Sequence, residues 1–294
     1  EQNEIGWSIE SDAGLDLRYQ RVTTQMAFVV KEKGSGNIID TFVGVEGSQL
    51  DVPTVLEVFD EHLLAYGNEL EPRTGRQRVI FPGLSGMAGA SLLKMFRSDL
   101  GARSYASKAS FFDGKVGDGI PHFHPSFSLF ESRDPEVHRV CPFDMEGVVR
   151  ARLQLPIVDR GMIQALAANK RDSHRFGVPN TGTALGDIAQ LPTSGFGRMV
   201  GQSTATHLAD LLDGDGALVV WFVAGGDTTR AGDMGLPAQV ILAVDGAGRP
   251  MGRVPGCTLK GNMMDVFGPD FVGITEQKVD PFADEGFFVT HLSI

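Results

Sequence analysis

Between residues 5 and 46, β-branched and aromatic residues cluster between glycine-containing turns. Gln25-Met26-Ala27-Phe28-Val29-Val30 is followed by Lys33-Gly34-Ser35-Gly36-Asn37, which predicts strands joined by a hairpin. From Val52 the period changes. Val52, Val55, Leu56, Phe59 and Leu63 recur at helical spacing, with Asp51 placed as N-cap and Pro53 in the first turn. Val79-Ile80-Phe81 then predicts a short strand that runs into Pro82-Gly83 and a second helix in which Ala88, Leu92, Met95 and Phe96 share a face. The small residues Gly86, Ala88, Gly89, Ala90 and Ser91 allow a close neighbour, although the glycines weaken a helix.

Residues 101–146 are rich in Gly, Pro, Asp and His with little periodicity, the pattern of a functional loop or of several short strands. Val148 to Leu155 alternates, Asp159-Arg160-Gly161 reads as a turn, Met162 to Phe176 as a helix, and Gly177 to Pro192 as a Gly/Pro-rich loop. Ala217 to Val223, Ala238 to Val244 and Phe287 to Leu292 read as strands. The class is α+β, with strand-rich mixed or antiparallel sheets and a few packed helices. No repeat or low-complexity linker divides the chain, so residues 1–294 read as one domain, with 1–50 as a small N-terminal β subregion.

Composition narrows the function. With 42% hydrophobic and 21% charged residues among 294, the chain is expected to fold. A formal net charge of -11 without a Lys/Arg run repels a phosphate backbone, which argues against nucleic acid as a partner. No apolar run of about 18 residues and no basic-then-apolar leader appear, so neither a membrane span nor secretion is expected. Two cysteines, Cys141 and Cys257, fit a reducing, cytoplasmic setting. The start at Glu1 without Met is equally compatible with processing, an artificial boundary or a fragment edge.

Three stretches, in order, carry a family resemblance. Pro142-Phe143-Asp144-Met145-Glu146-Gly147-Val148 is followed by the segment ending His174-Arg175-Phe176-Gly177. Asn180-Thr181-Gly182-Thr183-Ala184 comes second. Gly256-Cys257-Thr258-Leu259-Lys260-Gly261-Asn262 comes third, preceded by Gly225-Gly226-Asp227. Together, from about Val79 to Phe271, they resemble the C-terminal region of the TldD/PmbA family, in its TldE/PmbA-like branch. Family members carry an N-terminal domain before this region, which the resemblance marks as absent here. The family motif residues fall on Asp144, Glu146, Gly147, Thr181, Gly182, Gly226, Asp227, Lys260, Gly261 and Asn262.

The resemblance implies a two-subunit metallopeptidase in which a TldD-like chain binds zinc through a His-Glu-x-x-x-His helix and a C-terminal Cys. The corresponding helix positions here are Ala90, Ser91 and Met95, none of which supports zinc chemistry, and no Cys follows Gly273. The expected role is therefore a non-catalytic subunit that shapes the chamber for a zinc-bearing TldD-like partner cleaving unfolded or small peptides, with zinc in the partner and no cofactor in this chain. Whether the chain is itself an enzyme stays open.

Two alternatives stand beside it: a stand-alone metal-dependent hydrolase using His122 and His124 with His138 nearby, and a structural homo-oligomer without activity. Asp144 and Glu146, two apart, could form a carboxylate pair, or fix a turn by accepting backbone N–H bonds, the use that the resemblance favours. Cys141, Cys257, Ser194 and Ser203 lack a spaced base or nucleophile elbow. The glycines of 177–201 lack a phosphate-loop pattern, and Asp227 to Arg230 fit a subunit junction or a substrate channel.

Overall fold

A computed structural model describes residues 2–36, 38–47, 51–71, 74–186, 190–278 and 285–294. In chain order the first elements are β1 (Gln2–Glu10), β2 (Asp16–Val30), β3 (Thr41–Gly47), α1 (Val52–Tyr66), β4 (Arg76–Pro82), α2 (Lys94–Asp99), α3 (Ala102–Ala106), β5 (Leu129–Ser132) and β6 (Gln154–Asp159). Then come β7 (Met162–Ile163), α4 (Lys170–Phe176), β8 (Ala184–Leu185), β9 (Thr193–Ser194), β10 (Arg198–Gly201) and α5 (Leu208–Leu212). The chain continues through β11 (Gly214–Val223), β12 (Asp227–Thr228), β13 (Asp233–Gly246), β14 (Pro250–Val254), β15 (Cys257–Asn262), α6 (Met263–Val266), β16 (Phe271–Lys278) and β17 (Gly286–Ser293). The α+β, strand-rich class read from the sequence is the observed one. The described residues fall into two compact units, one of Glu1–Asn3, Thr23–Leu92 and Ser203–Ile294, the other of Glu4–Val22 and Leu93–Gln202.

In the first unit, the pairings β11–β4, β4–β17, β17–β15, β15–β13 and β13–β11 close on themselves into a ring of strands. Only β4–β11 is parallel among them, with Leu218 opposite Val79 and Val219 opposite Ile80. Parallel neighbours need a crossover, and here it carries residues 93–202. Ile80, Val219, Val244 and Val289 pack with Leu208, Leu211 and Leu212 from α5 in one buried cluster.

Helix α1 follows the predicted period with Pro53 in its first turn, but Asp51 makes no side-chain cap bond and instead accepts from the Thr54 hydroxyl at 2.7 Å. Its inner face buries Val55 and stacks Phe59 on Phe28 at 4.7 Å, while His62 meets Trp221 edge-on at 4.6 Å. Near its C-terminal end, Arg253 lies over the Tyr66 ring at 4.4 Å and pairs with Glu69 at 2.5 Å and Glu32 at 3.3 Å. The predicted hairpin turn between β2 and β3 is described except for Asn37, which lies outside the described residues.

The second unit is organised by the sheet β10-β5-β6-β7 and by an aromatic cluster. Phe96 contacts Phe112 and Phe123, each at 5.6 Å between centroids, and Phe123 contacts Phe127 at 5.9 Å. Burying each of these rings stabilises the unit by roughly 2–3 kcal/mol.

Three sequence expectations need correction. The helix expected to run from Ala88 to Phe96 is a 3-10 turn at Gly89–Ser91 followed by α2. A Cβ at Gly89 would collide with the Gly83 carbonyl, so the backbone is folded back on itself there. The helix expected over Met162–Phe176 survives only as α4. Met162 and Ile163 pair with β6, and Ala167 exchanges backbone bonds with Leu100 and Ala102 at 2.8 and 2.9 Å. Asn169 then caps α4 by accepting from the Asp172 N–H at 2.8 Å. The alternating stretch from Val148 to Leu155 becomes strand only from Gln154, because Val148 and Val149 pair back on Asp144 and Phe143 in a tight turn. No helix among the described residues is long and apolar enough to cross a membrane.

His291 on β17 gives the first unit a pH dependence. Burial and the nearby Arg76 and Arg78 push its pKa below the ordinary histidine value, against a smaller opposing pull from Asp270. The unfolded chain therefore binds this proton more readily, so stability rises with pH between the lowered folded pKa and about 6.5 and is lost as pH falls through that window. Urea midpoints of the wild type are expected to drop between pH 7.5 and pH 5.5, and His291→Gln is expected to reduce that drop.

Candidate functional site

The first family-like motif forms a clamp inside the second unit. Asp144 is 2% exposed; its Oδ1 accepts the N–H groups of Glu146 and Val148, each at 2.9 Å, and its Oδ2 accepts that of Ala184 at 3.1 Å. Glu146 accepts the Lys170 N–H at 2.7 Å, beside the first turn of α4. Both carboxylates are thus occupied with backbone donors and do not form a facing acid pair. Gly147 has φ 72°, and the Lys170 ammonium donates to the Glu146 carbonyl at 2.7 Å.

The second motif locks the same region. Thr181 Oγ1 accepts the Ala168 N–H at 2.9 Å and donates to the Leu166 carbonyl at 3.0 Å. At Gly182 φ is 61° and an added Cβ would press on the Arg150 stem at 3.1 Å. Arg150 reaches Glu131, whose side chain is fully buried, at 2.5 Å, and Arg133 approaches the same carboxylate at 3.1 Å. Burial pushes the Glu131 carboxyl up and the Arg150 guanidinium down, in both cases against the attraction of the pair. Desolvation therefore outweighs Coulomb gain, the usual balance for a buried ion pair.

The sequence reading missed Glu131, Arg133 and Arg150. The available signal was Leu129-Phe130-Glu131-Ser132-Arg133, two opposite charges two apart in a short apolar strand, where alternation directs both to one face. It also missed the capping network of Asn169, Asp172 and Ser194. Ser194 donates to Asp172 at 2.7 Å and accepts the Asn169 N–H at 2.9 Å, an arrangement that ties the loop to the start of α4.

The three candidate histidines stay apart in their functions. His122 pairs with Asp118 at 2.8 Å, His124 accepts the Ser126 N–H at 3.1 Å, and buried His138 bonds Ser132 at 2.8 Å. Among the described residues, no group of three His, Cys, Asp or Glu side chains is placed to hold a metal. Cys141 and Cys257 are half-buried, and burial raises both thiol pKa values, which lowers their thiolate fraction.

The third motif lies in the first unit. Gly226 and Asp227 lead into β12, which turns through Thr229 and Gly232 into β13. Asn262 donates from Nδ2 to the Ala231 carbonyl at 3.0 Å and to Asp233 Oδ1 at 2.9 Å, while its Oδ1 accepts the Met264 N–H at 2.9 Å. Gly261 packs against Leu292, and Lys260 is exposed on β15. The outcome is a rigid, exposed hairpin tip carrying Arg230.

The positions assigned to a zinc helix do not fit a metal. Ala90 has no donor, Ser91 closes the 3-10 turn, and Met95 is buried at 6% exposure in α2. Hydroxyl and thioether are poor zinc ligands, and no histidine in the chain is followed by glutamate.

Replacing one partner of each buried carboxylate system should be costly. Glu131→Gln leaves two buried guanidinium groups without an anion and is expected to cost about 3–5 kcal/mol. Asp144→Asn turns an amide donor toward a backbone donor and is expected to cost about 2 kcal/mol. Urea unfolding of both variants against the wild type measures these losses.

A family profile described as PmbA/TldA metallopeptidase C-terminal domain matches residues 74–281. No curated protein matches the sequence. Among solved structures, TldE from Thermococcus kodakarensis is similar with a TM-score of 0.79 and 18% identity, over 99% of this chain and 67% of that one. A candidate modulator of a DNA gyrase from Thermotoga maritima gives 0.74 and 18%, over 99% and 67%. Another, from Bacteroides thetaiotaomicron, gives 0.74 and 14%, over 100% and 65%. The chain thus spans about two thirds of the length of these structures, and the likeness is one of fold. With the profile covering most of the chain and the fold agreeing, this chain belongs to the TldD/PmbA metallopeptidase family through its C-terminal domain.

Proposed function

We propose that this chain is a TldE-like subunit of a two-component metallopeptidase, without a metal site of its own, shaping the chamber in which a zinc-bearing TldD-like partner cleaves unfolded or small peptides. The observation that carries this reading is the donor set at Ala90, Ser91 and Met95. A member of a metallopeptidase family has there a methyl group, a turn hydroxyl and a buried thioether. No hydrolytic step can be routed through them. What this chain contributes is shape: turns clamped by Asp144 and Glu146 and the hairpin held by Asn262 are rigid walls rather than reacting groups. The two free cysteines suit a reducing cytoplasm.

The test is a reconstitution. A family member with an intact His-Glu-x-x-x-His helix, loaded with zinc, is mixed with this chain and an unstructured fluorogenic peptide. Cleavage is expected to rise on mixing, with none from this chain and zinc alone. Purified chain is expected to contain well under one zinc per molecule by elemental analysis. Cleavage by this chain alone, or one bound metal lost in His122→Ala/His124→Ala, would overturn the proposal, as would a mixture no faster than the partner by itself.

A further inference from the structure

Strands β14 and β15 follow one register along β13. Ile241 lies opposite Val254 and Ala238 opposite Cys257. On the same count Val240 would meet Pro255 and Gln239 would meet Gly256, but neither of these registers is paired. Pro255 has no N–H to give to a ladder, which accounts for the break. A cavity of about 240 Å³ opens at this gap, lined by Gln239, Val240, Pro255 and Gly256. Its walls are Tyr66 at the end of α1, Glu69 just after it, Asp40 before β3 and Arg253 of β14, all within the first unit.

The charge of these walls specifies the occupant. Among the described residues that line the cavity, Arg253 is the one cation, and it is shared between Glu69 at 2.5 Å and Glu32 at 3.3 Å. Tyr66 also donates to Glu32, at 3.0 Å. Asp40 is 3% exposed and accepts the Glu32 N–H at 2.6 Å and the Ser35 hydroxyl, neutral donors that leave its charge in place. Lys31, on the same turn, donates to the Ser35 carbonyl at 3.1 Å and is not part of the lining. Three carboxylates thus surround one guanidinium, and Oε1 of Glu69 has no hydrogen-bond partner among the described residues. Burial, then the hydrogen bond to Glu32, raise the Tyr66 hydroxyl pKa against the opposing pull of Arg253, with Asp40 adding to the rise.

We propose that this cavity binds an alkylammonium group, either free as a short aliphatic diamine or carried on the lysine side chain of a peptide. This goes beyond the peptidase-subunit reading and does not depend on it. The volume is that of about eight waters, below the range of drug-sized sites and sufficient for a four-carbon chain with its amine. The methylenes meet the apolar lining at Val240, Ile241 and Val254. The ammonium, with three N–H donors and no acceptor, matches the free oxygen of Glu69 and the excess negative charge around it.

The probe is 1,4-diaminobutane, titrated calorimetrically into the full chain. Saturable binding at one site per chain is expected, weakening as salt rises, with none for 1,4-butanediol, which has the same length and no charge. Nα-acetyl-lysine methylamide separates the two sources: tighter binding than the diamine assigns the site to a peptide side chain, weaker binding to the free diamine. Glu69→Gln is expected to weaken diamine binding about tenfold. Its side chain is 56% exposed, so the change spares the core. Glu276→Gln, which removes the same charge from an exposed position on β16, is expected to leave binding unchanged. Absence of saturable binding at millimolar diamine would overturn the proposal. So would equal binding by the wild type and Glu69→Gln, or equal weakening in Glu69→Gln and Glu276→Gln, either of which is attraction to net negative charge alone.

Discussion

The parallel contact between β4 and β11 constrains everything else in this chain. Two strands that lie side by side and point the same way cannot be joined by a tight turn, so the polypeptide must leave the ring of strands after Pro82 and return before Gly214. It uses that excursion to build a second hydrophobic core around Phe96, Phe112, Phe123 and Phe127. The motifs containing Asp144 and Thr181 belong to the excursion, and the motif containing Asn262 to the ring. One topological requirement thus separates the family-like motifs into two places.

Within the excursion, two buried carboxylates fix the geometry of the turns. Asp144 satisfies three backbone donors that a glycine-rich turn would otherwise leave unpaired. Glu131 serves a different purpose, joining two guanidinium groups from separate parts of the unit at a desolvation cost that their attraction does not fully offset. The arrangement selects one geometry for Arg150 and, through its stem, for the Gly182 turn. Such groups look catalytic in a sequence because carboxylates in glycine-rich loops are also what active sites use.

How much could be read in advance depended on the range of the interactions. The period of α1 is local, and its limits at Val52 and Tyr66 follow from Pro53 and the run of apolar spacings. The strands at Ala217, Ala238 and Phe287 were equally visible, since continuous apolar runs mark buried sheet. The helix expected at Ala88 broke into a 3-10 turn and α2 where the chain folds back and Gly83 crowds Gly89, its hydrogen bonds staying local, whereas the helix expected at Met162 failed because distant backbone took its place: Met162 and Ile163 pair with β6, and Leu100 and Ala102 pair with Ala167. The family motifs were legible as spelling, and the resemblance already favoured a turn-fixing use of Asp144 and Glu146, which accept backbone N–H bonds as expected. The local donors to Asp144 lie two and four residues on, but its third donor, Ala184, and the Lys170 donor to Glu146 are tens of residues away and could not be read, and Glu131 carried no signal beyond two charges in an apolar strand. Proximity of His122, His124 and His138 in sequence likewise said nothing about convergence, which the turns between them prevent.

The position of β17 has a consequence for biosynthesis. It lies between β4 and β15 in the sheet and faces Phe81 with Phe288, yet it follows that partner by about two hundred residues. At ribosomal speeds of about 5–20 residues per second, β4 emerges roughly 10–40 seconds before the strand that shields it. Its Val79-Ile80-Phe81 edge is sticky throughout that interval, while the contiguous excursion has every residue it needs to fold in the meantime. Nascent chains are therefore most exposed to mispairing and to chaperone capture at β4, and damage to β17 would show first as lost yield rather than as altered activity.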